Sequence, residues 1–266
     1  MTSTIGSVLS EDGTRIGFER RGTGPGLVLV HGGTADRTRW ASIVPLLADR
    51  FTLYLVDRRG RGLSDDGPAD DYALDREAED LLAVTESIGE PVALLGHSYG
   101  ALVSLETLVR AGPVTRALLY EPPFSTPGLP VFPAGALERM ARSLAENDRE
   151  GILTTFFHEA IGLDDPTVDA LRATPVWQAR LAAAATMVRE GRVADSYVPN
   201  PGLEHIGIPV RFLLGTESPG YLRASTRAAH AAIAHIDLVE MPGQAHMAMD
   251  TIPADFAALV AEFCTP

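Results

Sequence analysis

Three features of the sequence predict an α/β fold with a mostly parallel central sheet flanked by helices. Apolar runs alternate with helical patterns up to residue 121, the alternation breaks from 122 to 209, and it resumes to the last residue. Strands separated by helices of this length need right-handed crossovers, which make neighbouring strands parallel. Thr14 to Glu19 reads as a half-buried strand. Gly26 to Val30 (GLVLV) and Phe51 to Val56 (FTLYLV) have no polar face and suit strands covered on both sides. Between them Trp40, Ile43, Val44 and Leu47 recur at helical spacing, predicting a helix over Arg39 to Asp49. A helix over Leu74 to Ile88, a strand at Val92 to Leu95, a helix from Tyr99 to Arg110 and a strand at Ala117 to Tyr120 follow.

The segment from Pro122 to about Pro209 contains no convincing central strand. A Pro-rich entry leads into helical patterns at Ala136 to Ala145, Gly151 to Ile161 and Trp177 to Val188. Strand and helix then alternate again: Val210 to Leu214, Tyr221 to Ala234, Ile236 to Glu240 and Ala254 to Phe263. A helical block between two strands of one sheet reads as a cap over the sheet's edge. The expected division is a core of residues 1–121 and 210–266 with a cap of residues 122–209. Of the cap's large apolar residues, Phe124, Phe132, Met140, Phe156, Phe157, Trp177, Met187 and Tyr197, most are expected to pack the cap onto the body and a minority to line a pocket.

Composition narrows the function classes. At 266 residues with 45% hydrophobic residues the chain can build a core without staples, and its one cysteine, Cys264, excludes a disulfide framework or a Cys-rich metal site. The formal net charge is −13 and all 22 basic residues are arginine, a balance that repels phosphate backbones and argues against nucleic acid as a partner. Asp65, Asp66, Asp70, Asp71 and Asp75 lie among Gly, Pro and Ala without ligand-type spacing, so they read as a solvated loop rather than a metal site. The first residues lack a basic patch followed by an apolar stretch, and no membrane-length apolar run occurs, so a cytoplasmic protein with no membrane partner is expected. No cofactor or metal is expected, a small-molecule substrate is, and oligomeric state is not legible.

The strand at Val92 to Leu95 ends in Gly96-His97-Ser98-Tyr99-Gly100 and a helix follows at once. A G-x-S-x-G turn between strand and helix exposes the serine hydroxyl at a helix N-terminus, where the dipole and free N–H groups favour developing negative charge. Side chains at 96 and 100 would collide with the adjoining strand and helix. A serine nucleophile needs a base within hydrogen-bond reach. His246 follows the last strand in Pro242-Gly243-Gln244-Ala245-His246, at the sheet edge where open α/β folds bind ligands. His31 precedes Gly32-Gly33 and suits an oxyanion loop, and His97 is expected to point away from the site. His158, His205, His230 and His235 read as surface or packing residues.

Taken together, HGG at His31 to Gly33, DRRGRGLS at Asp57 to Ser64, GHSYG, an interposed cap and PGQAH resemble a cap-bearing α/β-hydrolase over nearly the whole chain. The resemblance implies the α/β-hydrolase fold with the cap after the sixth strand, Ser98 and His246 as catalytic residues, and the backbone N–H groups of Gly33 and Tyr99 as oxyanion hole. The acid departs from the family's pattern. The family places an aspartate three residues after the glycine ending the strand at Val210 to Leu214, and here that position is Ser218. Glu217 precedes it, at a spacing before His246 similar to the family's. The competitor is Glu121, directly after the strand Ala117 to Tyr120, where relatives resembling the haloalkane dehalogenases put their acid. Glu121, followed by Pro122-Pro123 under the cap, is preferred, and both remain candidates. Gly32, Trp40, Phe124 and Met247 are candidate substrate contacts, and Arg58, Arg59 and Arg61 read as salt-bridged loop residues.

The expected chemistry is hydrolysis of a carboxylic ester or lactone of a small to medium apolar molecule through an acyl-enzyme on Ser98. A serine in place of an aspartate nucleophile argues against dehalogenase or epoxide-hydrolase chemistry. The same residues also serve perhydrolases, C–C bond hydrolases and biosynthetic tailoring enzymes, and similar folds serve as small-molecule receptors with vestigial hydrolysis.

Overall fold

The structure, a computed structural model, describes residues 3–68, 71–233 and 236–266. The apolar runs become the middle of a sheet built from β1 (Ser3–Leu9), β2 (Arg15–Gly22), β3 (Gly26–Val30), β4 (Thr52–Val56), β5 (Val92–His97), β6 (Val114–Tyr120), β7 (Val210–Gly215) and β8 (Asp237–Met241). Among the described residues these form one eight-stranded sheet in the order β1-β2-β4-β3-β5-β6-β7-β8. From β4 to β8 neighbouring strands are parallel, while β1 and β2 pair antiparallel at one edge. This is the α/β-hydrolase fold, a mostly parallel sheet flanked by helices.

The sequence shows why the middle strands read as unbroken apolar runs. Along β3, Val28 and Val30 face one buried cluster while Leu27 and Leu29 face another, and Val92 with Leu94 against Ala93 with Leu95 divides β5 the same way. The first cluster is closed by α2 (Leu74–Ser87) and α3 (Tyr99–Leu108), the second by α1 (Val44–Leu47) and α11 (Pro253–Cys264). Helix α2 buries Leu74, Ala78, Leu81 and Val84 on one stripe and carries Asp75 and Glu77 in its first turn, where the helix dipole favours carboxylates. The helix expected over Arg39 to Asp49 divides into a 3-10 turn, Arg37–Trp40, and the short α1. Pro45 is the cause: it has no N–H to give the carbonyl of Ala41 and its ring would crowd that turn. β1 has no buried face, so it left no periodic signal in the sequence.

The block between β6 and β7 holds α4 (Ala136–Ala145), α5 (Arg149–Thr155), α6 (Asp165–Arg172), α7 (Val176–Ala183) and α8 (Met187–Ser196). The pattern from Gly151 to Ile161 is helical throughout but widens after α5 into a π-helical turn, Phe156–Ile161, which ends at Gly162 with φ 80°. The helix expected over Trp177 to Val188 is interrupted at Ala184–Thr186, where the Thr186 hydroxyl donates to the Ala183 carbonyl at 2.9 Å. α9 (Gly220–Ala232) follows β7, and α10 (Ala248–Thr251) leads into α11. Ala234, expected to end α9, and His235 lie outside the described residues.

Strand order positions the site. The chain leaves β3 towards β4 on one side and leaves β5 towards β6 on the other, so the loops after β3 and β5 diverge and open a crevice at the carboxyl ends of the strands. Those loops carry His31-Gly32-Gly33 and Ser98. No helix among the described residues is long and apolar enough to cross a membrane, and no group of described His, Cys, Asp or Glu residues could hold a metal ion.

Candidate active site

Ser98 sits at φ 55°, ψ −128°, between the last residue of β5 and the first of α3. Such a conformation costs on the order of 1–3 kcal/mol in a residue with a side chain, and it persists where the surroundings over-determine it. Here they do. A Cβ on Gly100 would lie 2.3 Å from the carbonyl oxygen of Val30, and one on Gly96 2.7 Å from the Cα of Ala101. The Ser98 N–H is taken by the Tyr120 carbonyl at 2.8 Å. Among the described residues only Ser98, Glu121 and Asn147 have positive φ without being glycine. Two of the three are thus sequence-predicted site residues at the ends of adjacent strands.

Glu121 follows β6 at φ 51° and is fully buried. Its Oε2 accepts from His246 Nδ1 at 2.5 Å, and its Oε1 accepts from the Gly215 N–H at 2.7 Å and the Ser218 hydroxyl at 2.5 Å. Both carboxylate oxygens are therefore satisfied, as a buried carboxylate requires. Ser218, at the position where the resemblance expected an aspartate, donates to the carboxylate that occupies the space. Glu217 is a correction: its side chain is exposed beside Thr216 and its contact with the histidine loop is through the backbone, N–H to the Gln244 carbonyl at 2.9 Å. The chain turns outward there, and a Cβ on Gly215 would already meet the Gln244 carbonyl at 2.4 Å.

His246 and Ser98 line one cavity of about 330 Å³ together with Gly32, Gly33, Tyr99 and Met247. The histidine loop is held by Tyr120, whose hydroxyl donates to the Ala245 carbonyl and accepts from the Ala248 N–H at 3.3 Å. Trp40 and Phe124 are corrections. Both are buried in the core and neither borders the cavity, Trp40 packing edge-on against His97 and Phe124 against Tyr197. His97 is a correction in the other direction: it borders the cavity, with its ring 4.5 Å from that of His246. Its Nε2 donates to the His246 carbonyl at 2.9 Å. Burial, followed by the neighbouring His246, holds its pKa well below the ordinary 6.5, so it stays neutral.

The loop after β3 is fixed by its carbonyls. Gly32 O accepts from His31 Nδ1 at 2.8 Å and Arg58 at 3.4 Å, and Gly33 O accepts from Arg61 at 2.5 Å. In a trans peptide the N–H points opposite to the carbonyl, so fixing Gly32 O fixes the direction of the Gly33 N–H. Among the described residues neither the Gly33 nor the Tyr99 N–H has a protein partner. His31 accepts from the Arg58 N–H through Nε2, which sets its tautomer, and burial holds its pKa well below 6.5. A Cβ on Gly32 would stand 2.8 Å from Ser98 Cβ, so only glycine lets this loop approach the serine.

Arg58, Arg59 and Arg61 have the structural role expected of them. Arg58 forms a two-pronged pair with Glu77 at 2.6 and 2.7 Å and reaches Glu190 of α8, which also pairs with Arg61; Arg59 pairs with Asp80. Asp65, Asp66, Asp71 and Asp75 each pair with an arginine, and Asp70 lies outside the described residues. Much of the remaining cavity wall comes from the inserted block, with Thr34, Ala35 and Arg39 added from the segment after β3 and Tyr221 from α9. Phe132, Phe156, Phe157 and Met187 border it, whereas Met140 and Trp177 do not. Sequence reasoning missed Thr34 and Arg39 after β3 and Arg180 and Glu190 of the inserted block, because an isolated polar residue carries no local signal of which way its side chain faces.

A family model described as the alpha/beta hydrolase family matches residues 27–259. An alpha/beta hydrolase from Sphaerobacter thermophilus is 33% identical, with a TM-score of 0.86 over 98% of this chain and 100% of that one. The esterase RhEst1 from a Rhodococcus species is 26% identical, with a TM-score of 0.75 over 98% of each chain. N-formylmaleamate deformylase of Pseudomonas putida is 31% identical over 171 residues, 61% of this chain and 64% of the deformylase, so the matched region spans a little under two thirds of that relative's length. With strand order, serine turn and family match in agreement, this chain belongs to the alpha/beta hydrolase family.

Proposed function

We propose that this protein is a serine hydrolase that cleaves a carboxylic ester or lactone through an acyl-enzyme on Ser98, with His246 as base, Glu121 as its acid partner and the inserted block as a cap. The observation that carries the reading is the 2.5 Å contact between His246 Nδ1 and the buried Glu121 carboxylate, beside a serine at a positive-φ turn. That contact directs the other ring nitrogen, Nε2, to be the proton acceptor.

Ser98 Oγ gives its proton to His246 Nε2 as it bonds to the substrate carbonyl carbon. The carbonyl oxygen takes the charge, facing the Gly33 and Tyr99 N–H groups, and Glu121 stabilises the imidazolium. One such oxyanion donor contributes about 3 kcal/mol in comparable sites. The carbon–oxygen bond to the leaving alcohol breaks as the alcohol takes the proton from Nε2. Water then loses a proton to His246, bonds to the acyl carbon and releases the carboxylic acid while Ser98 regains its hydrogen. The likeness to a deformylase supports a second reading, in which the same residues break an amide carbon–nitrogen bond and the leaving nitrogen takes the proton.

The test is turnover of p-nitrophenyl acetate and butyrate by the wild type and Ser98→Ala, with a fluorophosphonate probe as second readout. Loss of turnover by roughly a thousandfold or more and loss of labelling are expected in the variant. Equal rates in the two proteins discard the nucleophile.

A further inference from the structure

We propose that the cavity is built for a substrate carrying a free carboxylate, held by Arg180 of α7 with Arg39 beside it. The proposal deepens the hydrolase reading and rests on it for the site's role.

Two groups of arginines approach this cavity, and their charges balance differently. Arg58 and Arg61 face Glu77 and Glu190, all four side chains nearly inaccessible to water. Two cations meet two anions there, so the charges balance, although the Arg61 Nε is left without an acceptor. Arg39 and Arg180, which both border the cavity, share a single carboxylate between them. That is Asp250, paired to Arg39, with 43% of its side chain exposed. Among the described residues Arg180 has no carboxylate partner. Its one polar contact is a donation to the hydroxyl of Thr34, next to Gly33, and its Nε is buried without an acceptor, as is the Nε of Arg39. Its guanidinium lies over the Phe157 ring, 5.3 Å from the centroid, which holds it against the apolar wall.

A half-buried cation without a counter-ion, as Arg180 is, carries a desolvation cost, and a second cation beside it adds to that cost. Burial, and then Arg39, push the Arg180 pKa down to about 10, so the group is still charged near neutral pH. A carboxylate reverses both penalties, because a guanidinium offers two parallel N–H donors to it. The apolar part of the wall includes Val131, Phe132, Phe156, Ile161 and Leu163, and the other charged side chain on it, Glu190, is already held by Arg58 and Arg61. The ligand this favours is a monocarboxylate with an apolar body and a cleavable carbonyl placed at Ser98, such as a half-ester or an N-acyl acid. One unmatched guanidinium suits one negative charge better than a dianionic phosphate.

Binding tests this without turnover. In the full chain carrying Ser98→Ala, calorimetric titration with monomethyl glutarate should give at least about tenfold tighter binding than methyl pentanoate. Adding Arg180→Gln should bring the two ligands to within about twofold, and Arg180→Lys, which keeps the charge but not the fork, should restore part of the preference. No binding of the acid, equal affinities, or a preference that survives Arg180→Gln in a protein melting at the parent's temperature overturns the carboxylate site. The wild type's turnover of the two esters separates this from the underlying reading. Serine-dependent hydrolysis with no acid preference sinks the carboxylate site alone. No hydrolysis of any ester or amide, with tight acid binding retained, sinks the hydrolase reading alone.

Discussion

The two walls of the cavity are made by different means. On the strand-end side, position is dictated by backbone. Ser98 and Glu121 stand at positive φ on adjacent strand ends, Gly32 and Gly100 leave room where a methyl group would collide, and arginines grip the carbonyls of the loop after β3. On the side of the inserted block, position is dictated by side chains: an apolar lining, one unmatched guanidinium and a single buried carboxylate, Glu190, that ties α8 to Arg58 and Arg61. In the proposed function, chemistry that needs groups held to a fraction of an ångström falls to the first wall, while the proposed selection among ligands, which tolerates repacking, falls to the second. Substitutions on the first should therefore act on kcat and those on the second on binding or on attachment of the block.

The largest effect that would break this division comes from the acid. Glu121→Gln leaves a neutral amide that cannot stabilise the imidazolium or enforce its tautomer, and kcat should fall by roughly ten-thousandfold, whereas Glu217→Gln, on the exposed turn, should change it by less than about twofold. Stopped ester assays on the two variants decide it, and the reverse order would place the acid at 217. Next in size is the seam between the walls. Glu190→Gln leaves Arg61 buried without its carboxylate and should lower unfolding free energy in urea by about 3–5 kcal/mol, against less than about 1 kcal/mol for Asp237→Asn, whose pair with Arg211 is exposed. Equal midpoints for the two variants would mean that the block is not held by this pair.

The same division explains what could be read from the sequence. G-x-S-x-G, HGG and PGQAH are short because each encodes a backbone conformation at one strand end, and a local conformation leaves a local pattern. β3 and β5 were legible as strands because both of their faces are buried, leaving unbroken apolar runs, while β1, exposed on its edge, gave no such run. The wall from the inserted block was legible only as helix. Whether Phe124 or Phe132 faces the cavity, or whether Arg180 finds a carboxylate, depends on how separate helices dock, and that is long-range information. The ambiguity between Glu121 and Glu217 has the same origin: both lie next to strands whose ends meet only in three dimensions, and the signal that separates them, a small polar Ser218 able to donate to a carboxylate from elsewhere, has meaning only once Glu121 is seen beside it.

Ser218→Ala removes one of three hydrogen bonds to the Glu121 carboxylate without touching His246. A hydrogen bond to a charged acceptor contributes roughly 1.5–3 kcal/mol, so a drop in kcat of about tenfold to a hundredfold is expected, between the two glutamate variants in size. A change confined to KM would move Ser218 to the ligand-selecting side.

The last effect concerns pH and belongs to the strand-end wall, where His31 and His97 are both buried and neutral with pKa values held well below the ordinary 6.5. In the unfolded chain each takes up a proton near that ordinary value, and in the folded protein neither does. Below about pH 6.5 the unfolded state therefore binds up to two more protons, so stability present in full at higher pH declines as pH falls, by up to about 1.4 kcal/mol per pH unit for each histidine. Urea midpoints measured from pH 7.5 to 5 should follow this slope, and His97→Gln, which cannot take up a proton in either state, should lower it by about one histidine's share. An unchanged slope in that variant would mean that His97 charges inside the folded protein, and a cation would then face His246 across the cavity wall, raising the cost of forming the imidazolium that the proposed chemistry requires.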